Sequence, residues 1–159
     1  MPKVKIQEFR YVTGPEIYAQ DVIDLRVACG YGTQTDTAVW RKCIEESLGV
    51  FGARENYSDT LIGVGFLAGN ARQAIFGDFT VHPNWQGRGI GTHILRSCIS
   101  VADELGIPYV YAYLADPSSF NKPYIELGFE SAHNVILRDT RHGLAASQPS
   151  HLSAWSSYR

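Results

Sequence analysis

Apolar and polar residues alternate from Lys3 to Tyr11, with Val4, Ile6 and Phe9 among the apolar set, and this period of two predicts a first strand. Thr13-Gly14-Pro15-Glu16 then resembles a helix start, with proline near the first turn and glutamate close behind. The predicted helix runs to about Cys29, with Ala19, Ile23 and Val27 facing inward and Ile17 near the edge. Gly30-Tyr31-Gly32-Thr33 breaks it. Asp36 or Thr35 caps a second helix, on which Val39, Trp40, Cys43, Ile44 and Leu48 are spaced as one buried stripe.

Beyond Gly49 the period returns to that of strands. Val50 to Arg54 and Leu61 to Ala68 predict a meander joined through Asn56-Tyr57-Ser58-Asp59, and Gly69-Asn70 turns the chain into a further strand, Ala74 to Val81. A third helix, Thr92 to Leu105, directly follows the turn that begins at His82. It buries Ile90, Ile94, Leu95, Cys98, Val101, Ala102 and Leu105 and stops at Gly106. Tyr109 to Ala115 is near-continuously apolar, as strands inside a sheet are. Asp116-Pro117-Ser118-Ser119 caps a short fourth helix ending at Gly128, and Phe129 to Glu130 with Asn134 to Arg138 predict a closing hairpin. The central β-α-β unit makes its two strands parallel neighbours in a mixed α/β sheet covered on both faces.

At 159 residues the chain suits one domain. We place that domain at residues 1–141 and read 142–159, rich in Ser and Ala, as a tail that is flexible or docked on a partner subunit. A net charge of −2 gives no electrostatic footprint for nucleic acid, and no basic run suggests a membrane surface. The start lacks an apolar signal core and no stretch approaches the roughly 20 apolar residues of a membrane span, so the expected location is the cytoplasm. Cys29, Cys43 and Cys98 are read as reduced thiols, and neither they nor the five histidines show metal-ligand spacing, so no metal is expected.

The chemistry concentrates in Gln86-Gly87-Arg88-Gly89-Ile90-Gly91, between a strand and a helix. The first amides of a helix lack intrahelical partners, the macrodipole adds positive charge there, and glycines let a bulky anion approach the backbone. A phosphate-bearing ligand is one reading and a plain turn the other. The dinucleotide fingerprint puts its third glycine where Thr92 stands, and the triphosphate loop needs Gly-Lys-Ser/Thr where this chain has Gly91-Thr92-His93.

The run Val81 to Gly91 resembles the acyl-CoA-binding motif of the GNAT superfamily of N-acetyltransferases, whose core is Gln/Arg-x-x-Gly-x-Gly/Ala. Tyr124-Ile125-Glu126-Leu127-Gly128-Phe129 resembles that family's second signature, a tyrosine four residues before Gly-Phe. The match spans roughly Ala74 to Phe129, while the N-terminal part agrees only in element order. The resemblance implies a mostly antiparallel sheet splayed at one parallel strand pair, with about four helices on its two faces. It also implies an enzyme that moves an acetyl group from acetyl-CoA to a primary amine of a small molecule, by direct transfer in a ternary complex. Homodimers are common in such families. A non-catalytic acyl-CoA-binding module, or a protein or peptide amine as acceptor, stays open as the alternative.

Residue by residue, the resemblance puts Phe79, Thr80 and Val81 along the pantothenate arm, and Gln86, Gly87, Arg88, Gly89, Ile90, Gly91 and Thr92 around the pyrophosphate. Tyr124 matches the tyrosine that protonates the departing thiolate; packing beside Phe120 and Phe129 is its other reading. Two departures bear on the site. Pro117 and Phe120 stand where the family often has Asn and a small residue, which leaves Asn121 as the candidate for the cofactor arm. Ile75 stands where many relatives carry a base glutamate, which leaves Asp78 as amine ligand or base, with His82 as a second candidate. Acceptor choice falls to Arg26, Tyr31, Thr33, Trp40, Tyr111 and Tyr113, the tyrosines having sheet packing as an alternative role.

Overall fold

The computed structural model describes residues 7–32, 34–113, 118, 121–132 and 135–139. The expectations placed on Lys3 to Ile6, Thr33, Leu114 to Pro117, Phe120, His133, Asn134 and the 142–159 tail lie outside that set.

Strand β1 (Phe9–Thr13) leads into a single 3-10 turn, Gly14–Glu16, and helices α1 (Ala19–Ala28) and α2 (Thr37–Glu46) follow. Next come β2 (Gly49–Glu55), β3 (Leu61–Gly69) and β4 (Gln73–Val81), then α3 (Ile90–Glu104) and β5 (Tyr109–Tyr113). Helix α4 (Lys122–Glu126) and strands β6 (Glu130–Ala132) and β7 (Val135–Asp139) complete the described chain. Among the described residues the strands form one sheet in the order β1-β2-β3-β4-β5-β7-β6, and every pairing is antiparallel except β4 with β5.

The first predicted helix is cut in two. The turn signal at Thr13 is real, since its N–H donates to Glu16 Oε2 at 3.2 Å, but Ile17 and Tyr18 are extended and α1 starts only at Ala19. The cause lies across the sheet. Arg54 on β2, 3 % exposed, donates from Nε and Nη2 to the Glu16 carbonyl at 3.0 and 2.8 Å, and also meets Asp21 and the Asp59 carbonyl. A carbonyl held by a buried guanidinium is not available to a continuing helix, so the chain breaks there. The break rotates α1, burying Val22, Ile23 and Leu25 and leaving Val27 exposed, contrary to its predicted inward position. Leu105, predicted to face inward, is exposed just past the end of α3, while Ile99 is buried instead. On α2, Asp36 caps the helix through Ala38 N–H at 2.8 Å; Trp40 is buried and Val39 is exposed.

Two apolar clusters cover the two faces. Val64 and Phe66 of β3 pack with Val22, Ile23, Leu25 and Trp40 from α1 and α2. Leu67 and Phe76 pack with Ile90, Ile94, Leu95 and Ile99 of α3 on the opposite face, and Tyr124 and Phe129 close that cluster at its edge.

Beyond its midpoint β4 leaves β5. Among the described residues, parallel pairing runs from Gln73↔Tyr109 to Phe76↔Ala112, while β4 stays paired with β3 as far as Val81. The register to β3 slips at the same place, because Gly77 to Thr80 on β4 spans what Phe66 to Val64 spans on β3. Asp78 sits in this bulge with φ of +47°, a left-handed conformation rare for a residue with a side chain but tolerated by Asp. A bulge kinks and twists its strand, so it opens the sheet here into a cleft.

Candidate active site

The cleft between β4 and β5 holds a cavity of about 810 Å³, bounded by the β4 residues Phe76 to Val81, the loop before α3, the end of α1 and the start of α4. The strand turns out through His82, whose Nδ1 accepts the Asn84 N–H at 3.2 Å, and Gln86 Nε2 returns to the Val81 carbonyl at 3.0 Å. Gly87 and Gly89 follow at φ of +75° and +83° with nothing within 4 Å of where a Cβ would stand. Their bare, left-handed backbone leaves the N-terminus of α3 open to the cavity, and the first amides of that helix lack intrahelical partners. Gly91 has a different reason: a Cβ there would lie 2.8 Å from Phe79 Cζ, so this glycine seats the Phe79 ring.

Tyr124 reaches the cavity from α4, and it is positioned by the way that helix ends. Gly128 takes φ of +85°, its N–H donates to the Ile125 carbonyl at 3.0 Å, and the Phe129 N–H donates to the Tyr124 carbonyl at 3.1 Å. This is the Schellman termination, and its usual apolar contact is the edge-on packing of Phe129 against Tyr124. Burial to 7 % exposure pushes the Tyr124 hydroxyl up to about 12. At neutral pH it is a proton donor only.

Helix α1 ends in the same way. Gly30 is left-handed and Tyr31 N–H donates to the Arg26 carbonyl at 2.8 Å, which folds Tyr31 back over Arg26. The Arg26 guanidinium lies 5.4 Å from the Tyr31 ring centre and 5.2 Å from that of Trp40, and its Nη1 is 3.4 Å from Asp78 Oδ1. Thr80, 4 % exposed, also lines the cavity, and its Oγ1 has no hydrogen-bond partner among the described residues.

Of the residues singled out in the sequence, Asp78, Phe79, Thr80, Val81, Gln86, Gly87, Gly89, Ile90, Gly91, Thr92, Tyr31, Tyr113, Asn121 and Tyr124 line this one cavity, together with Arg26. Arg88, Trp40 and Tyr111 do not. Arg88 turns away, paired with Glu8 and 4.6 Å over the Trp85 ring, so its charge is already engaged. Trp40 is buried beneath Arg26 with its Nε1 donating to Gln34 O at 3.1 Å, and Tyr111 stays within the sheet, between Ile75 and Leu137. His82 is also outside the lining, its Nδ1 taken by the turn.

Cys29, read in the sequence only as a reduced thiol, also lines the cavity, with Sγ 3.8 Å from the Val81 carbonyl. Burial raises its thiol, with Arg26 partly opposing, so it remains protonated and a poor nucleophile. The available signal was its position three residues after Arg26, on the same helix face. Among the described residues no cluster of His, Cys, Asp or Glu could hold a metal, and no helix is long and apolar enough to cross a membrane.

Residues 19–129 match the family described as "Acetyltransferase (GNAT) family". No curated protein sequence matches the chain. Among solved structures, it is similar to SA2161 from Staphylococcus aureus, described with its structure as a probable acetyltransferase (20 % identity over 79 % of this chain and 92 % of that one, TM-score 0.64). It is also similar to an acetyltransferase from Streptococcus agalactiae (13 % identity, 84 % and 99 % covered, TM-score 0.65). A third is Rv2747 from Mycobacterium tuberculosis, solved in complex with CoA and NLQ (13 % identity, 95 % and 81 % covered, TM-score 0.59). Likeness at these identities speaks to the fold alone.

Proposed function

The chain belongs to the GNAT acetyltransferase family, a family of acyl transfer from acyl-CoA, and on that premise we propose that it acetylates the primary amine of a small molecule with acetyl-CoA as donor. The observation that carries this reading is the meeting of three features in one cavity: the open glycine loop, the β4 edge freed beyond Phe76, and the buried Tyr124 hydroxyl.

The residues present fit the donor. Gly87 and Gly89 leave a cradle that side chains would fill, at a helix N-terminus suited to a pyrophosphate. The β4 edge from Gly77 to Val81, unpaired on the β5 side among the described residues, offers backbone groups to the amides of the pantothenate arm as a neighbouring strand would. Acetyl-CoA, when bound, supplies a thioester whose acyl carbon the amine nitrogen attacks; the C–N bond forms, the C–S bond breaks, and coenzyme A leaves. Asp78 would hold the acceptor ammonium and draw its proton, directly or through water, so that the nitrogen lone pair is free. Tyr124 would hold the proton needed by the departing sulfur, which its raised value keeps in place throughout the physiological range.

The test is thiol release from acetyl-CoA across a panel of primary amines, with mass detection of the acetylated product. Turnover with at least one small amine, reduced about a hundredfold in Tyr124→Phe, supports the reading. Tight CoA binding with no product from any amine would replace it with an acyl-CoA-binding module.

A further inference from the structure

Resting on the transferase reading above, we propose that the acceptor is a small zwitterion, a primary amine with a carboxylate close by as in a free α-amino acid, with its carboxylate on Arg26 and its ammonium on Asp78.

The geometry sets an acid and a base side by side in the acceptor half of the cavity. Arg26 Nη1 and Asp78 Oδ1 are 3.4 Å apart and both side chains line the cavity. Arg26 cannot withdraw, because its side chain is only 18 % exposed and its guanidinium lies over the Tyr31 and Trp40 rings. Asp78 is fixed by the bulge, and its side chain is 50 % exposed. A bare ammonium approaching Asp78 therefore meets a guanidinium that stays beside it, and like charges at that separation repel. A ligand carrying both charges removes the conflict, since its carboxylate takes the fork-shaped donor and its ammonium takes the acid.

Thr80 points to the same half. Its neighbours Phe79 and Val81 face α3, where both approach Gly91, so the alternation of the strand turns Thr80 toward α1 and Arg26. Its hydroxyl is buried, unpartnered and on the cavity wall. Buried hydroxyls are nearly always hydrogen-bonded, so one left alone in a cavity wall is a group awaiting a ligand atom. An acceptor carboxylate would take that donor as well as Arg26.

The test compares amino acids with their decarboxylated amines as acceptors at fixed acetyl-CoA. Wild-type kcat/KM is expected to favour the amino acid of each pair, and an N-terminal amine of a dipeptide, whose carboxylate lies further away, to behave like the plain amine. Arg26→Gln should raise the amino-acid KM by about ten- to a hundredfold while the plain-amine KM holds or falls. Arg26→Lys, retaining charge without the fork, should recover part of the loss. Thr80→Val, close to isosteric, should raise the amino-acid KM severalfold with no loss of stability, and an unchanged KM counts against the site. Preference for plain amines in the wild type, or an equal effect of Arg26→Gln on both acceptors, overturns the proposal. If no acceptor turns over, calorimetric titration of glycine and of methylamine onto the CoA-loaded protein still decides it: glycine binding weakened by Arg26→Gln supports the zwitterion site, and equal or absent binding of both refutes it.

Discussion

The Phe129 ring stands edge-on to the Tyr124 ring, with 5.6 Å between centres and 87° between planes, while the Phe129 N–H is bonded to the Tyr124 carbonyl. One helix ending therefore sets both the backbone and the ring of Tyr124, the proposed proton donor. Tyr124→Phe leaves this packing intact and removes only the hydroxyl, so kcat is expected to fall on the order of a hundredfold, the usual weight of a general acid, with unchanged Tm. Phe129→Ala should instead cost about 3–5 kcal/mol of stability. Parallel thermal melts and steady-state kinetics check the split; a stable Tyr124→Phe with full turnover would remove Tyr124 from the chemistry.

Gly87 and Gly91 are glycine for opposite reasons, and their variants should part accordingly. Gly87→Ala forces a left-handed alanine, costing about 1–2 kcal/mol, and puts a methyl into the open cradle, so CoA binding should weaken about tenfold or more. Gly91→Ala pushes on Phe79, and its effect should appear first in stability. Calorimetric CoA titration beside urea unfolding separates the two; equal CoA affinity in wild type and Gly87→Ala would refute the cradle.

The proposed role of Asp78 adds a chemical demand to the backbone one set by its left-handed conformation. Glycine accepts φ of +47° at least as well as Asp, so Asp78→Gly should keep or slightly raise Tm, whereas Asp78→Ala should lose about 1–2 kcal/mol. Both variants remove the carboxylate, and both should raise the acceptor KM about tenfold or more while leaving CoA affinity unchanged. An acceptor KM that tracks Tm rather than the carboxylate would make Asp78 a structural residue.

Arg54 is buried against Asp21 and the carbonyls of Glu16 and Asp59. Arg54→Met removes the charge and leaves the Glu16 and Asp59 carbonyls without their donors as well as Asp21 without its partner, and a broken network of this kind around a buried guanidinium costs about 3–5 kcal/mol. Asp21→Asn, which keeps a polar acceptor on a side chain partly open to water, should cost less. Chemical denaturation of the two variants measures the order, and the reverse order would show that the Glu16 and Asp59 carbonyls are not what Arg54 supports.

Burial pushes the Cys98 thiol and the Tyr124 hydroxyl each up to about 12, from ordinary values of 9.0 and 10.0. Both are neutral when protonated, so the folded chain holds these protons more tightly than the unfolded chain does. Their contribution is intact below the ordinary values and is lost as pH rises through 9 toward 12. Urea-unfolding stability is expected to fall across that window. Cys98→Ala should start lower at pH 8 but lose less by pH 11, and a flat wild-type profile there would contradict the burial argument.

The alternation before Val81, the hydrophobic stripe of α3 and the Gly128-Phe129 ending are local patterns, set by residues within one or two turns of each other. Such patterns survive without knowledge of the fold, which is why the strand-loop-helix unit and Tyr124 were legible in the chain itself. Local signals also misled where a distant group intervened: Thr13 to Glu16 do begin a helical turn, and only Arg54, brought across from β2, shows why it stops. The pairing of Arg26 with Asp78, the approach of Cys29 to Val81 and the diversion of Arg88 to Glu8 join residues 52, 52 and 80 positions apart. No periodicity reports contacts at that separation. They exist because β4 bulges away from β5 and α1 ends over the gap. The glycine loop, where we propose the donor binds, was thus written in a short motif, and the wall proposed for the acceptor was decided by the sheet.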